Sequence, residues 1–350
     1  MKSKIIYIVA LHSSFVDLDM TILSKRYTVI LNSYKWQQKF LMPVFMFRQL
    51  WVLLKHVFST KLIFISSGGN WSVIPVVFGK LFSIPVFIVL NGSDCASLPF
   101  VNFGNLRKFL MRNSCRLSYE LAGMLLPVSE SLVMTKNTYY SREHPFFQGY
   151  KFFFPNVKTK YQVIFNGLDE VFWMKDDKPE RENKSFFSVF SPNQYILKGG
   201  DLIVAMAKRF PDCTFYIAGL KEPPQVSGLS SNVFFLGFLS PGELKAYFNK
   251  CQFHFQLSIY EGFGLTLCEA MLCECIPIGS DVNFIPGIIG DAGFILKHRE
   301  ESLLEELIRE ALQCENKAEL GKNARQRIID NFGIEKREQQ LFSLIEGLEK

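Results

Sequence analysis

Leu257-Ser-Ile-Tyr-Glu261-Gly-Phe-Gly264-Leu-Thr-Leu-Cys-Glu269-Ala-Met271 leaves a strand-like stretch, Phe253–Leu257, passes a loop with two glycines and then takes helical spacing. Two glycines let backbone N–H groups approach a ligand closely. The helix that follows presents unpaired donors and a partial positive charge at its N-terminus, which suits an anion. Strand, glycine turn and helix form the basic unit of a doubly wound parallel sheet. Glu261 and Glu269 stand eight residues apart, about 12 Å if the segment were helical throughout. That is too far for a close acid–base pair, but it suits gripping two hydroxyl-bearing parts of one extended ligand. The plainer alternative is a capped helix with a solvent-facing Glu269.

Outward from this stretch the same alternation recurs. Towards the C-terminus come Ile276–Gly279, Gly293–Leu296 and a charged helical tail from Glu301 to Lys350. Towards the N-terminus come Val233–Leu236, Thr214–Ala218, the helix Asp201–Arg209 and Phe186–Phe190. A polar, basic stretch at Asn156–Tyr161 precedes Val163–Phe165, where the second half is expected to open. Before it lie Ile5–Ala10, Tyr27–Leu31, Leu62–Ser66, Val86–Leu90 and Leu125–Val128, separated by helical stretches. The expected fold class is therefore α/β, with two Rossmann-like domains facing a central cleft. The expected domains are 1–162 and 163–330, followed by a C-terminal helix over 331–350 for which a crossing back to the first domain is one expectation.

Composition agrees with a large folded chain: 48% hydrophobic and 21% charged residues exclude a disordered one. Phe is abundant at 35 of 350 residues, which codon bias alone could produce. The net charge of +6 conceals a division. Residues 1–165 carry 19 Lys and Arg against 6 Asp and Glu, whereas residues 166–350 carry 20 against 27. One basic and one acidic half imply two surfaces that meet different partners.

None of the eight cysteines forms a CxxC pair, and Cys268, Cys273 and Cys275 lack zinc-site spacing. They read as buried, reduced thiols of a cytoplasmic protein. The six apolar residues after Lys4 are too few for a signal peptide and read as a strand. Trp71–Leu90 is long and apolar, but Lys80, Pro75 and Pro85 divide it, so a helix and a buried strand are expected instead of a membrane span. Phe40–His56 combines a broad apolar face with Lys39, Arg48 and Lys55. It reads either as an amphipathic core helix or as a surface resting on the membrane interface. Arg107, Lys108, Arg112 and Arg116 form a second basic stripe, or simply a solvated helix face.

Glu261-Gly-Phe-Gly-Leu-Thr-Leu-Cys-Glu269 resembles the double-glutamate signature of the retaining glycosyltransferases of family four (group 1), which have the GT-B fold. The likeness continues in order through Val163–Asp169, Lys198-Gly-Gly-Asp-Leu202, Phe210-Pro-Asp212, Phe215–Gly219 and Phe235-Leu-Gly-Phe-Leu239. Leu90-Asn-Gly-Ser-Asp94 and Leu126-Pro-Val-Ser-Glu130 fall where that family has its acceptor-side and cleft residues. The resemblance implies catalytic roles for Glu261, Lys198 and Asn91. Glu261 would hold a hydroxyl of the donor sugar and Glu269 the ribose hydroxyls. Gly262, Phe263, Gly264 and Leu265 would bring backbone N–H groups to the diphosphate and sugar. Phe238 and Leu239 would pack on the base, and Lys198 would neutralise the departing diphosphate. Ser13, Ser14, Asp94 and Ser129 would line the acceptor side.

Two departures stand out. Phe190–Leu197 contains no Arg where the family usually has one before the lysine, and Asn91 stands where a His is common. Asn donates and accepts hydrogen bonds but does not titrate near neutrality.

The expected activity is sugar transfer from a nucleoside-diphosphate sugar, with retention, to a cell-surface glycan or lipid-linked acceptor. No cofactor and no metal are expected. A nucleotide-sugar epimerase and a nucleotide-sugar-binding pseudo-enzyme are the competing readings. No nucleic-acid reader motif is present. A cytoplasmic location, peripheral on an anionic inner membrane face through the basic first half, is the expectation.

Overall fold

The computed structural model describes residues 3–177, 180–222 and 228–349. It divides into two compact units. Unit 1 comprises residues 1–135, 147–167 and 335–350; unit 2 comprises residues 136–146 and 168–334.

Unit 1 contains β1 (Lys4–Val9), α1 (Ser14–Ser24), β2 (Thr28–Ser33), α2 (Met42–His56), β3 (Thr60–Ser66), α3 (Asn70–Phe82), β4 (Val86–Leu90), α4 (Phe109–Leu121) and β5 (Met124–Pro127). The strands pair in the order β2-β1-β3-β4-β5, all parallel. Ile5 to Val9 and Val86 to Leu90 are buried throughout, as a sheet covered on both faces requires. The apolar stretch 71–90 resolves into α3 and β4, and no helix among the described residues is long and apolar enough to cross a membrane. Gly79 lets α3 lie against β4: a Cβ there would stand 2.3 Å from Val86 Cγ2.

Beyond β5, a short ribbon pairs β6 (Thr135–Asn137) with β7 (Phe146–Gln148), followed by the single turn α5 (Tyr150–Phe153). The sequence reading contained no ribbon here. Three-residue strands are too short to show a period.

Val163–Phe165 does not open the second sheet. Leu125 N–H donates to Lys160 O (2.9 Å), Gln162 N–H to Leu125 O (3.0 Å) and Ile164 N–H to Pro127 O (3.0 Å). These bonds tie 160–164 to β5, so the crossover falls at Gly167–Leu168 and not at 162–163.

Unit 2 contains β8 (Glu182–Val189), α6 (Gly200–Arg209), β9 (Thr214–Ala218), β10 (Val233–Gly237), α7 (Pro241–Lys250), β11 (Cys251–Gln256), α8 (Leu265–Leu272), β12 (Ile276–Ser280), α9 (Ile285–Ile289), β13 (Phe294–Leu296), α10 (Glu301–Gln313) and α11 (Lys317–Phe332). Its sheet runs β10-β9-β8-β11-β12-β13, again parallel. Counted within the unit this is 3-2-1-4-5-6, the doubly wound order that reverses between its first and fourth strands. The abundant Phe is in use: the Phe186 ring stacks on Phe215 (5.1 Å), Phe253 (5.0 Å) and Phe255 (4.8 Å).

The last helix, α12 (Ile334–Glu346), ends the chain's helical tail. From Glu335 onward the chain belongs to unit 1, where α12 packs on α1. Arg337 donates to both carboxylate oxygens of Asp19 (2.6 and 2.8 Å), a buried pair, and to Phe165 O (2.8 Å). Lys25–Glu338 and Arg26–Glu346 ion pairs flank this contact at the surface.

Candidate active site

The order of the second sheet reverses between β8 and β11, and ligands of such sheets bind at the carboxyl ends of the strands beside that point. Lys198 follows β8 and Glu261 follows β11, and the Lys198 ammonium is ion-paired with Glu261 Oε2, both side chains largely buried. Gly199 makes the turn possible. It has φ +76°, and a Cβ there would stand 2.6 Å from Leu257 Cβ and 2.7 Å from Leu257 O. Ile259 N–H donates to Leu197 O (2.7 Å), which ties the two loops together.

Glu261 is held from several sides. Gln256 Nε2 donates to its Oε2 at 2.6 Å, Ser258 Oγ donates at 3.3 Å, and its own N–H donates to Asn283 Oδ1 at 3.2 Å. Behind Gln256 lies His254, with Nε2 3.3 Å from Gln256 Oε1. Burial pushes the His254 imidazole down to about 4, so it is neutral at physiological pH. The sequence reading named none of Gln256, Ser258, His254 or Asn283. The first three alternate along β11 and past its end, a signal available in principle, whereas Asn283 comes from the β12–α9 loop and has no local signature.

The glycine turn brings Gly264 to φ +109° at the start of α8, and no side chain caps that helix. Its first N–H groups, from Leu265 onward, are those an anion can satisfy. Gly262 and Phe263 are buried, and the Phe263 ring packs against Phe284 and Phe332. Glu269 is half-buried on α8 and makes no ion pair or side-chain hydrogen bond among the described residues. Burial pushes its carboxyl up to about 7. Phe238 is exposed just after β10, with Leu239 half-buried beside it.

The segment Phe190–Leu197 contributes no second cation. The nearby basic residue, Arg299, is committed: its Nη2 donates to both carboxylate oxygens of Asp201 at 2.6 Å, in the first turn of α6. Residues 136–146 pack on the same unit. Asn137 Nδ2 donates to Ile259 O (2.7 Å), and Arg299 N–H donates to Tyr139 O (2.9 Å).

In unit 1 the expected acceptor-side residues separate into two groups. Asp94 is fully buried and its carboxylate is saturated. Gly92 N–H (3.0 Å), Asn91 N–H (3.1 Å), Gly68 N–H (2.9 Å) and Tyr119 Oη (3.0 Å) all donate to it. Asp94 therefore braces the loops after β3 and β4 instead of facing a ligand. Ser129 is likewise buried, its Oγ 2.9 Å from Ser131 Oγ. Asn91 donates through Nδ2 to Ser67 Oγ (2.9 Å) and Ser66 Oγ (3.3 Å), and its Oδ1 has no hydrogen-bond partner among the described residues. Ser13 Oγ, just before α1, is also unpartnered there, and Ser14 is exposed. No group of three or more His, Cys, Asp or Glu residues that could hold a metal ion occurs among the described residues.

A family model, glycosyl transferases group 1, matches residues 172–327. The serotype-specific mannosyltransferase WbdA of Escherichia coli is 42% identical over 64 residues, 18% of this chain and only 8% of that protein. A probable sucrose-phosphate synthase of Thermosipho melanesiensis is 27% identical over 299 residues, covering 79% of this chain and 68% of its own. Among solved structures, HepE of Anabaena in complex with UDP superposes with a TM-score of 0.74 at 15% identity, over 98% of this chain and 100% of that one. A glycosyltransferase of Rickettsia africae superposes with a TM-score of 0.72 at 13% identity, over 100% and 99%. These likenesses establish the GT-B fold, and residues 172–327 are similar to the glycosyl transferases group 1 family.

Proposed function

We propose that the protein transfers a sugar from a nucleoside-diphosphate sugar to a glycan or lipid-linked acceptor, with retention at the anomeric carbon. The observation that carries this reading is the Lys198–Glu261 pair at the reversal of the second sheet, beside the uncapped start of α8. A cation and a helix N-terminus at one place suit a diphosphate, and a carboxylate next to them suits a sugar hydroxyl. HepE was solved with UDP, and with UDP and glucose, which supports a nucleotide-sugar donor for this fold.

In the proposed reaction the bond from the anomeric carbon to the diphosphate oxygen breaks, and a bond to the acceptor oxygen forms on the same face. The acceptor proton passes to the departing diphosphate. Lys198 and the N–H groups of Gly264 and Leu265 offset the charge that develops there, so the reaction proceeds in a metal chelator. Glu261 orients the donor sugar, Glu269 accepts from the ribose hydroxyls, and Phe238 with Leu239 covers the base. In unit 1, Asn91 Oδ1 and Ser13 Oγ, unpartnered among the described residues, are assigned to hydroxyl groups of the acceptor.

The similarity to a serotype-specific mannosyltransferase and to an O-antigen chain mannosyltransferase of Escherichia coli supports a surface polysaccharide as the product class, made at the inner face of a membrane by a cytoplasmic, peripheral enzyme. Thermal-shift screening against a panel of nucleotide sugars tests the donor. Nucleoside diphosphate released only when acceptor is present, with an unchanged anomeric configuration in the product NMR spectrum, supports the transferase. Release without acceptor, or stabilisation by no nucleotide sugar, defeats it.

A further inference from the structure

Helix α2 is apolar on two opposite sides, and the fold uses only one. Phe45, Gln49 and Leu53 point inward and are buried. Phe45 stacks on Tyr34 (5.3 Å) and Gln49 Nε2 donates to Trp71 O (3.0 Å). On the other side Val44, Phe47 (70%), Trp51 (63%) and Leu54 face solvent, and the exposed Phe40 (80%) and fully exposed Phe58 flank the helix at its two ends. At about 100° per residue, Val44, Phe47, Trp51 and Leu54 fall within about 80° of one another, opposite the buried side. An ordinary surface helix places polar residues there.

The charges beside this stripe are of one sign. Arg48 and Lys55 are exposed and border it. Between Asp19 and Glu120 the chain has 12 Lys and Arg and a single carboxylate, Asp94, which is buried. A second copy of the chain docked through this face would bring Arg48 and Lys55 against their own equivalents with no acid between them. A surface of anionic lipid supplies both an apolar layer and the missing negative charge.

We propose that α2 lies in the interface of an anionic membrane, with Phe47 and Trp51 in the acyl boundary and Arg48 and Lys55 on lipid phosphates. This names the contact for the peripheral location proposed above and rests on that location. Docking is read without donor or acceptor, so its failure and failure of the transferase reading are separate results.

The test is flotation of the full chain with vesicles of phosphatidylcholine alone or with phosphatidylglycerol, together with tryptophan emission. Trp51 is the exposed tryptophan; Trp36, Trp71 and Trp173 are buried. The expected result is about ten-fold more floated protein with anionic vesicles and a blue shift in emission. W51F should keep the flotation and lose the shift. Both F47D/W51D and R48E/K55E should lower flotation about ten-fold while keeping the wild-type circular dichroism spectrum. Flotation that is absent, or unchanged in both double variants, overturns the proposal. So does a blue shift that survives in W51F, or a sedimenting dimer that F47D/W51D dissolves without any vesicle binding.

Discussion

The Lys198 ammonium is ion-paired with the Glu261 carboxylate across the ends of β8 and β11, two strands adjacent in the sheet but separated by two others in sequence. Removal of Lys198 does not strand Glu261, because Gln256 and Ser258 still donate to it. Lys198→Ala should therefore lower kcat by about 10²- to 10³-fold, as loss of one preorganised charge-stabilising group does, with little loss of thermal stability. Initial rates of nucleoside-diphosphate release and a melting curve measure the two effects. Full activity in this variant would remove Lys198 from the reaction.

Glu269 provides a pH test. Its carboxyl titrates near 7, above its ordinary value of 4.5, because burial disfavours the charge. The folded state thus holds a proton that the unfolded state releases, and this contribution to stability is present below 4.5 and lost as pH rises through 7. Donor affinity should rise as pH passes through about 7, as the ionised carboxylate becomes the better acceptor for ribose hydroxyls. Titration calorimetry from pH 6 to 8 should show an inflection near 7 that Glu269→Gln abolishes; an identical profile in that variant contradicts the assignment.

His254 works in the opposite sense. Its imidazole is depressed to about 4 by burial, so the unfolded chain takes up a proton that the folded chain refuses. Its contribution to stability is complete above pH 6.5 and declines as pH falls towards 4. Urea midpoints measured between pH 7 and 4.5 should fall less steeply in a His254→Gln variant than in the wild type. Parallel slopes would assign acid sensitivity elsewhere.

The Asp19–Arg337 pair is buried at both ends. Removing one partner leaves a charge without compensation, at a cost of about 3–5 kcal/mol. Arg337→Met and Asp19→Asn should each destabilise unit 1 by about that amount in chemical denaturation, and the double variant should cost less than the two singles combined. Additive losses would mean that the two side chains are not coupled.

Much of the fold is visible in local pattern. Val86–Leu90 and Thr214–Ala218 form strands with the bounds their apolar runs suggest, because strands buried on both faces are continuous apolar runs. The segment 163–165 misleads for the same reason: an apolar run signals a strand-like partner, but which sheet it joins depends on the hydrogen bonds to Leu125 and Pro127, nearly forty residues earlier. In the site, Glu261, Gly264 and Glu269 are recognisable because their roles depend on spacing within one loop and helix. Asn283, which accepts from Glu261 N–H, is not.

Sequence alone determined the alternation, the split of charge and the position of the glycine turn, since each depends on residues near one another in the chain. Tertiary structure alone decided the status of the acidic and apolar candidates. Asp94 is expected from the resemblance to line the acceptor side, yet four donors from three segments enclose it. Helix α2 reads from its sequence either as a core helix or as a membrane-interface surface, and the fold gives a partner to only one of its apolar sides. Burial is a property of what packs against a residue, and long-range packing leaves no trace in local spacing.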